Sequence, residues 1–267
     1  MLLQEPARSP YDVEFRLGDF PVRIAWTFWL MAAIFGYNIA VSIDTIFLRA
    51  YELWSPGVAM LLLVWAVCIF VSILVHELGH AVAFRMCGIH STIVLYHFGG
   101  LAIPVASGQI GRSPSRLSSK ENLMIAAAGP FAQLVLAAVV VLGVRLAGYE
   151  ILLLPWMIRW VPGAVGGEPI LNIGTFAMVN CLVWPSVMWA VLNLVPVWPL
   201  DGGRIARELF ALGGGTLRQS LIVSLIAAAL LAAWGLANQQ VFLGILFASL
   251  AFGNWEMLQS LGNWRRY

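Results

Sequence analysis

The chain has 267 residues, of which 61% are hydrophobic and only 10% are charged. Soluble globular proteins carry about 25% charged residues, so this composition excludes an ordinary water-soluble fold and places most of the chain in a lipid bilayer. The net charge is only +2 and the basic residues are scattered, which excludes a basic stripe for binding nucleic acid.

Six segments are candidates for membrane-spanning helices, which need about 20 apolar residues. Five of them approach that length, and the fifth in chain order is shorter but uncharged. The predicted spans cover residues 24–42, 57–75, 124–147, 170–194, 221–236 and 241–258. No connection is long enough for a separate soluble domain, and the chain has no internal repeat. We therefore predict an all-α polytopic membrane protein that forms a single membrane-embedded domain over residues 1–267.

The basic residues predict how these spans are oriented. Six spans place both termini on one side of the membrane, and with the N-terminus in the cytoplasm 12 of the 15 Lys and Arg residues lie on that side. Only Arg49, Arg145 and Arg159 fall on the opposite face. We therefore expect a multi-pass protein of the cell membrane, inner or plasma, with both termini in the cytoplasm.

The connection after the second span contains an unusual apolar stretch, residues 89–105. It is rich in β-branched and aromatic residues and is interrupted by Gly99-Gly100 and Pro104. This pattern predicts an extended or re-entrant segment, which membrane depth tolerates only where protein or a wet cavity satisfies the backbone. His90 and His97 in this stretch are more typical of hydrogen-bonded loop histidines than of metal ligands.

The second span leads into an H-E-x-x-H sequence at residues 76–80. Residues four apart share a helix face, so His76 and His80 can reach one zinc ion while Glu77 lies beside the water that the ion activates. Ionisable groups at membrane depth cost several kcal/mol and persist mainly where they bind, pair or react. The alternative is a helix end that merely carries polar residues.

Catalytic zinc sites commonly have three protein ligands, so a third ligand is expected elsewhere in the chain. Asp201 is favoured because two prolines before it stop a helix and Gly202-Gly203 after it allow close backbone approach. An Asp that only caps the helix beginning near Gly202 is the alternative. The other downstream candidates are Glu121, Glu150, Glu168, Glu208, Glu256, His90 and His97. The three cysteines, Cys68, Cys87 and Cys181, lie in or beside apolar runs without CxxC spacing, so we expect no thiolate zinc site.

The H-E-x-x-H sequence, together with the segment Asn193-Leu-Val-Pro-Val-Trp-Pro-Leu-Asp-Gly-Gly that contains Asp201, resembles the site-2 protease family of intramembrane metalloproteases. Gly129-Pro130 and Phe98-Gly99-Gly100 agree with it. The resemblance implies one zinc ion per chain bound by His76, His80 and Asp201, with Glu77 as the catalytic acid/base and Asn193 near the oxyanion. The chain departs from the family at Gln133, where members often have Asn, and it has no room for a PDZ or CBS module.

The resemblance also implies the reaction. We expect a zinc metalloendopeptidase that hydrolyses peptide bonds in or near transmembrane segments of membrane-anchored protein substrates, which is regulated intramembrane proteolysis. A peptide bond in a transmembrane helix is already hydrogen-bonded, so the substrate must unwind first. Residues 93–96 could receive the unwound segment by strand addition, or they could form a loop that plugs the site.

Three rival interpretations remain. One is a membrane zinc protease whose third ligand is Glu208. Another is a protein that binds or transports metal, or an inactive scaffold. Such a site would not need a general base beside a ligand histidine, and Glu77 lies at that position. The last is a structural membrane protein anchored by its 12 tryptophans, which leaves the charged residues at 76–80 unexplained.

Overall fold

A computed structural model describes residues 6–97, 99–105, 113–151 and 167–263, with side chains as far as residue 261. These residues form seven α-helices and four β-strands. In chain order they are β1 (Val13–Leu17), β2 (Phe20–Ile24), α1 (Trp26–Thr45), α2 (Val58–Met86), β3 (His90–Tyr96), β4 (Gly99–Val105), α3 (Ser119–Leu146), α4 (Ile173–Leu194), α5 (Asp201–Leu212), α6 (Leu217–Ala237) and α7 (Val241–Asn263).

Six helices are long and apolar enough to cross a membrane, which confirms the predicted fold class. The candidate spans are Trp26–Ala50, Val58–Met86, Ser119–Leu146, Ile173–Leu194, Leu217–Ala237 and Val241–Leu261. The second is much longer than predicted, because the polar residues at 76–80 end the apolar run but not the helix. The H-E-x-x-H sequence therefore lies inside α2 rather than after it.

A four-stranded sheet, ordered β1-β2-β3-β4, packs against these helices. The predicted extended segment forms the β3–β4 hairpin, and the N-terminal β1–β2 hairpin, which the sequence analysis did not identify, joins it. β3 pairs in parallel with β2, from Val22↔Ile93 to Ile24↔Leu95, and antiparallel with β4. Residues 93–95 are thus paired on both sides, so the alternative in which this segment receives substrate by strand addition is wrong. Among the described residues, β4 is the edge strand nearest α2.

A buried ion pair fastens the N-terminal hairpin to the first helix. Arg23 Nη1 lies 2.9 Å from Asp12 Oδ2, and both side chains are almost fully buried. The same carboxylate accepts hydrogen bonds from the backbone N–H groups of Ser9 and Trp26. Burial alone would raise the pKa of Asp12, but these backbone hydrogen bonds and the Arg23 guanidinium outweigh it, so the pKa lies below its usual value.

The packing of α1 on α2 depends on a glycine facing an indole. Trp65 is 2% exposed, and its Nε1–H donates to the Ala32 carbonyl at 2.8 Å. A Cβ at position 36 would lie 2.0 Å from Trp65 Cδ1. Only glycine at this position lets the two helices enclose the indole.

We expect Gly36→Ala to destabilise the fold by about 1–3 kcal/mol, because overpacking forces the indole or the backbone to move. The measurement is the thermal unfolding midpoint in detergent micelles. Gly253→Ala is the matched control, since a Cβ there meets nothing within 4 Å. Equal unfolding midpoints for the two variants would contradict the proposed role of Gly36.

Candidate metal centre

The two histidines of the H-E-x-x-H sequence lie one turn apart on α2 and face the same buried point. His76 is 2% exposed and His80 is 5% exposed. Their Nε2 atoms are 3.2 Å apart, and the two rings meet edge to face with centroids 4.9 Å apart. The helical spacing therefore places both imidazoles as the sequence predicted.

Asp201 is brought to this point by an irregular connection. α4 ends at Leu194, and Val195 is extended, as the residue before a proline prefers. The connection contains a cis peptide bond between Trp198 and Pro199, and α5 then begins at Asp201. A Cβ at Gly202 would lie 2.2 Å from the Leu194 carbonyl oxygen, so the start of α5 can pack against the end of α4 only because this residue is glycine.

The Asp201 carboxylate completes a cluster with the two histidines. Its Oδ2 lies 3.1 Å from His76 Nε2 and 3.2 Å from His80 Nε2. The N-cap of α5 is Leu200, so Asp201 does not act as the helix cap that was the alternative. Among the described residues, this is the one His/Cys/Asp/Glu group whose geometry can hold a metal ion, and Glu208 does not belong to it.

The hydrogen bonds on the far side of each ring decide what the cluster can bind. His80 Nδ1 lies 2.7 Å from the Ile125 carbonyl oxygen, which can only accept, so Nδ1 carries the proton. His76 Nδ1 lies 2.9 Å from Gln133 Oε1 and also donates. Each Nε2 therefore presents a lone pair, and with the Asp201 carboxylate three acceptors face one another. Such an arrangement calls for a cation between them.

The spacing of the three acceptors fits a zinc ion. Zinc binds imidazole nitrogen and carboxylate oxygen at about 2.0–2.1 Å with tetrahedral geometry, which separates neighbouring ligand atoms by roughly 3.3–3.4 Å. The separations here are 3.1–3.2 Å. Two imidazoles and one carboxylate leave a fourth position open, as in catalytic zinc sites.

Glu77 lies beside the cluster, between α2 and the edge strand. It is 4% exposed and lines the same cavity as Gly100 and Ala102 of β4. A Cβ at position 100 would lie 2.3 Å from Glu77 Cγ, so Gly100 is required for β4 to approach this side chain. The sequence analysis noted Gly99-Gly100 only as an interruption of an apolar run.

All five predicted site residues line one cavity of about 150 Å³: His76, Glu77, His80, Asn193 and Asp201. Asn193 lies in the last turn of α4, and its Nδ2 donates to the Trp189 carbonyl at 3.0 Å. An amide carries two N–H donors, so this bond leaves one for another acceptor. The structure brings these residues together, while their roles stay predictions.

The other two histidines are not part of the cluster, as expected. His90 is exposed and contacts the Arg85 guanidinium. His97 Nδ1 lies 3.2 Å from Thr27 Oγ1, and burial lowers the pKa of its imidazole. His97 thus makes the expected hydrogen bond from a turn, whereas His90 is the first residue of β3 rather than a loop residue.

Two polar side chains that the sequence analysis missed hold the loop before Asp201. The Trp198 N–H donates to Ser224 Oγ on α6, and the Trp198 carbonyl accepts from Asn254 Nδ2 on α7 at 2.8 Å. Both side chains are almost fully buried. No local pattern in the sequence signals this contact, because the partners lie 26 and 56 residues from Trp198.

We expect Gly129→Ala to abolish metal binding, because the added Cβ would lie 2.2 Å from His80 Nε2. The measurement is metal content after purification, with zinc loading as the check. Gly143→Ala on the same helix is the control, since its Cβ meets nothing within 4 Å. A zinc-loaded Gly129→Ala protein would contradict the position assigned to the metal.

Comparison with known proteins gives a consistent result. The model of peptidase family M50 matches residues 64–234. The zinc metalloprotease MJ0392 of Methanocaldococcus jannaschii is 25% identical over 196 residues, which cover 71% of this chain and 48% of that protein. Rip3 of Mycobacterium tuberculosis, named as a zinc metalloprotease, is 28% identical over 227 residues, which cover 80% of this chain and 49% of that protein. The chain thus spans about half the length of these curated relatives.

The fold has a counterpart among solved structures. The site-2 protease from Methanocaldococcus jannaschii matches with a TM-score of 0.50 and 20% sequence identity, over 93% of this chain and 95% of that one. The M50 match begins in α2 and ends in α6, so it contains the H-E-x-x-H sequence and Asp201. The chain therefore belongs to peptidase family M50, and its resemblance to the site-2 proteases is confirmed.

Proposed function

We propose that this chain is an intramembrane zinc metalloendopeptidase, which hydrolyses peptide bonds in or near transmembrane segments of membrane-anchored proteins. One observation carries the proposal: three convergent ligand atoms share a buried cavity with Glu77 and Asn193. Family membership supports the same activity. A site that only binds or transports metal has no need of a carboxylate directly beside a ligand histidine, and Glu77 therefore favours the enzyme.

The proposed mechanism assigns each side chain one task. His76, His80 and Asp201 would hold a zinc ion, which when bound polarises the scissile carbonyl and acidifies a water molecule. Glu77 accepts the proton of the attacking water and then donates it to the leaving amine. Asn193 donates its second amide N–H to the developing oxyanion, an interaction worth about 3 kcal/mol in other proteases.

The edge of β4 is the proposed substrate-binding element, in place of residues 93–96. In the antiparallel ladder with β3 the backbone groups of every second β4 residue turn away from β3, and Ala102 lines the cavity beside Glu77. Gly100 and Pro104 therefore also face the cavity side. Pro104 cannot donate a hydrogen bond, which is tolerated at an edge. An unwound substrate paired with this edge would have its backbone next to Glu77.

The orientation and organisation of the chain complete the proposal. The prediction that both termini are cytoplasmic depends on an even number of spans. The described residues contain six candidate spans, which agrees with that number. We propose that the chain lies in the inner or plasma membrane of the cell in that orientation. We also propose that residues 1–267 act as one membrane-embedded domain, with the bilayer and a membrane-anchored protein as its partners.

We expect Glu77→Gln to bind about one zinc ion per chain, as the unmodified chain does, but to lose cleavage of a model transmembrane substrate. The amide keeps the size of the side chain but cannot accept the proton. Zinc content and single-turnover cleavage in the same detergent preparation are the measurements. Glu256→Gln, at an exposed position on α7, is the control and should cleave normally.

Two outcomes would count against the enzyme. Cleavage that survives in Glu77→Gln would remove the assigned acid/base. Zinc binding without cleavage in either protein, across a panel of membrane-anchored substrates, would favour a binding or scaffold function.

We expect N-methylation of a substrate peptide to slow cleavage in an alternating pattern. In strand addition every second backbone N–H faces the β4 edge, and methylation removes that donor and adds bulk. A set of peptides, each methylated at one position around the cleavage site, would be compared by kcat/KM. Uniform sensitivity along the peptide would argue against pairing with β4.

A further inference from the structure

A line of buried polar atoms runs from the metal cluster into the helix bundle. Gln133 on α3 contacts His76, and its Nε2 lies 2.8 Å from Ser72 Oγ on α2. Ser72 Oγ lies 2.8 Å from Ser186 Oγ on α4, and Ser186 Oγ lies 2.6 Å from the Leu182 carbonyl oxygen. Gln133, Ser72 and Ser186 are all 0% exposed. The line therefore links three helices behind the site.

The direction of every hydrogen bond in this line follows from its last member. A carbonyl oxygen can only accept, so the Ser186 hydroxyl donates to Leu182. The Ser186 proton is then used, so in the 2.8 Å contact between the two hydroxyls Ser72 is the donor. The Ser72 proton is then used as well, and Ser72 Oγ accepts from the Gln133 amide.

This direction fixes the amide of Gln133 and, through it, the tautomer of His76. With its NH₂ group donating to Ser72, Gln133 turns its Oε1 toward His76 Nδ1. The Ser72 backbone carbonyl, 3.4 Å from Gln133 Nε2, supports the same orientation because it too can only accept. His76 must then carry its proton on Nδ1, and its Nε2 lone pair faces Asp201.

We propose that Ser72 and Ser186 are positioning residues, which act through Gln133 to hold His76 in the tautomer that can bind a metal. The inference rests on the proposed zinc site. Without the line, the Gln133 amide can reverse and present its NH₂ group to Nδ1. His76 Nε2 would then carry the proton and donate it to Asp201 Oδ2, 3.1 Å away, and zinc would have to displace that hydrogen bond.

The hydrogen bonding of Ser72 differs from that of three other serines in the spanning helices. Ser42, Ser220 and Ser249 each donate to a carbonyl of their own helix, three or four residues back, as serine in a helix commonly does. The Ser72 hydroxyl instead joins α3 to α4. A serine that only filled space at a helix contact would need no such partners.

The test combines zinc affinity with the protonation pattern of the metal-free imidazole. The chain has only 4 histidines, so ¹⁵N-histidine labelling of the detergent-solubilised chain gives a spectrum that can be assigned, with the His76 signal identified by its loss in His76→Gln. We expect Ser72→Ala to move His76 from the Nδ1–H to the Nε2–H pattern. Zinc affinity, measured by chelator competition, should fall about tenfold, the usual effect of losing a supporting contact.

A double-mutant cycle separates positioning from packing. In a Gln133→Met background the line no longer reaches His76, so adding Ser72→Ala should leave zinc affinity unchanged. Ser220→Ala, another buried serine in a spanning helix, is the control and should keep both the zinc affinity and the tautomer of the unmodified chain. Ser186→Ala should shift both readouts in the same direction as Ser72→Ala, and it serves as the test if Ser72→Ala does not fold.

The results distinguish this inference from the proposed function. An unchanged His76 tautomer in Ser72→Ala and Ser186→Ala, or the same loss of zinc affinity with and without Gln133, would overturn the positioning role and leave the zinc site intact. Zinc binding that is unaffected in His76→Gln would instead overturn the proposed zinc site itself.

Discussion

Three hydrogen-bond acceptors, each with a lone pair, meet inside an apolar helix bundle, and the rest of the site is arranged around that unfavourable contact. Two imidazole nitrogens and a carboxylate oxygen lie 3.1–3.2 Å apart, and all three side chains are buried. Acceptors at this distance repel one another unless a cation lies between them. The fold therefore has to hold the three groups in place against that repulsion, and the supporting contacts show how it does so.

Small residues and buried hydrogen bonds supply that support. α2 and α3 approach closely at Gly79 and Gly129, where a Cβ would lie 2.4 Å from the Ala128 carbonyl oxygen and 2.2 Å from His80 Nε2, respectively. This approach brings the Ile125 carbonyl and Gln133 behind the two imidazoles. On the opposite side, α6 and α7 hold the Trp198 peptide three residues before Asp201. With α4, which carries Asn193, six helices thus contribute to a site whose predicted ligands come from only two of them.

The sequence predicted the features that depend on local spacing. The helical repeat places His76 and His80 on one face, and the prolines before Asp201 end α4 where the sequence indicated. Features that depend on distant partners were missed. The charged residues of β1 and β2 gave no strand signal, since that hairpin is stabilised by pairing with β3, some 70 residues later. For the same reason the sequence left open that residues 93–96 receive substrate by strand addition, although they lie within the sheet. Ser72 and Ser186 are 114 residues apart, so the sequence shows two small polar residues in apolar helices and does not indicate that they contact each other.

The ligand set itself is open to direct measurement by X-ray absorption at the zinc edge of the purified, zinc-loaded chain. Two imidazole nitrogens and a carboxylate oxygen should appear at about 2.0–2.1 Å, and Asp201→Ala should lose zinc while Glu208→Ala keeps it. Sulfur neighbours at about 2.3 Å, or zinc that is kept in Asp201→Ala and lost in Glu208→Ala, would contradict the site described here.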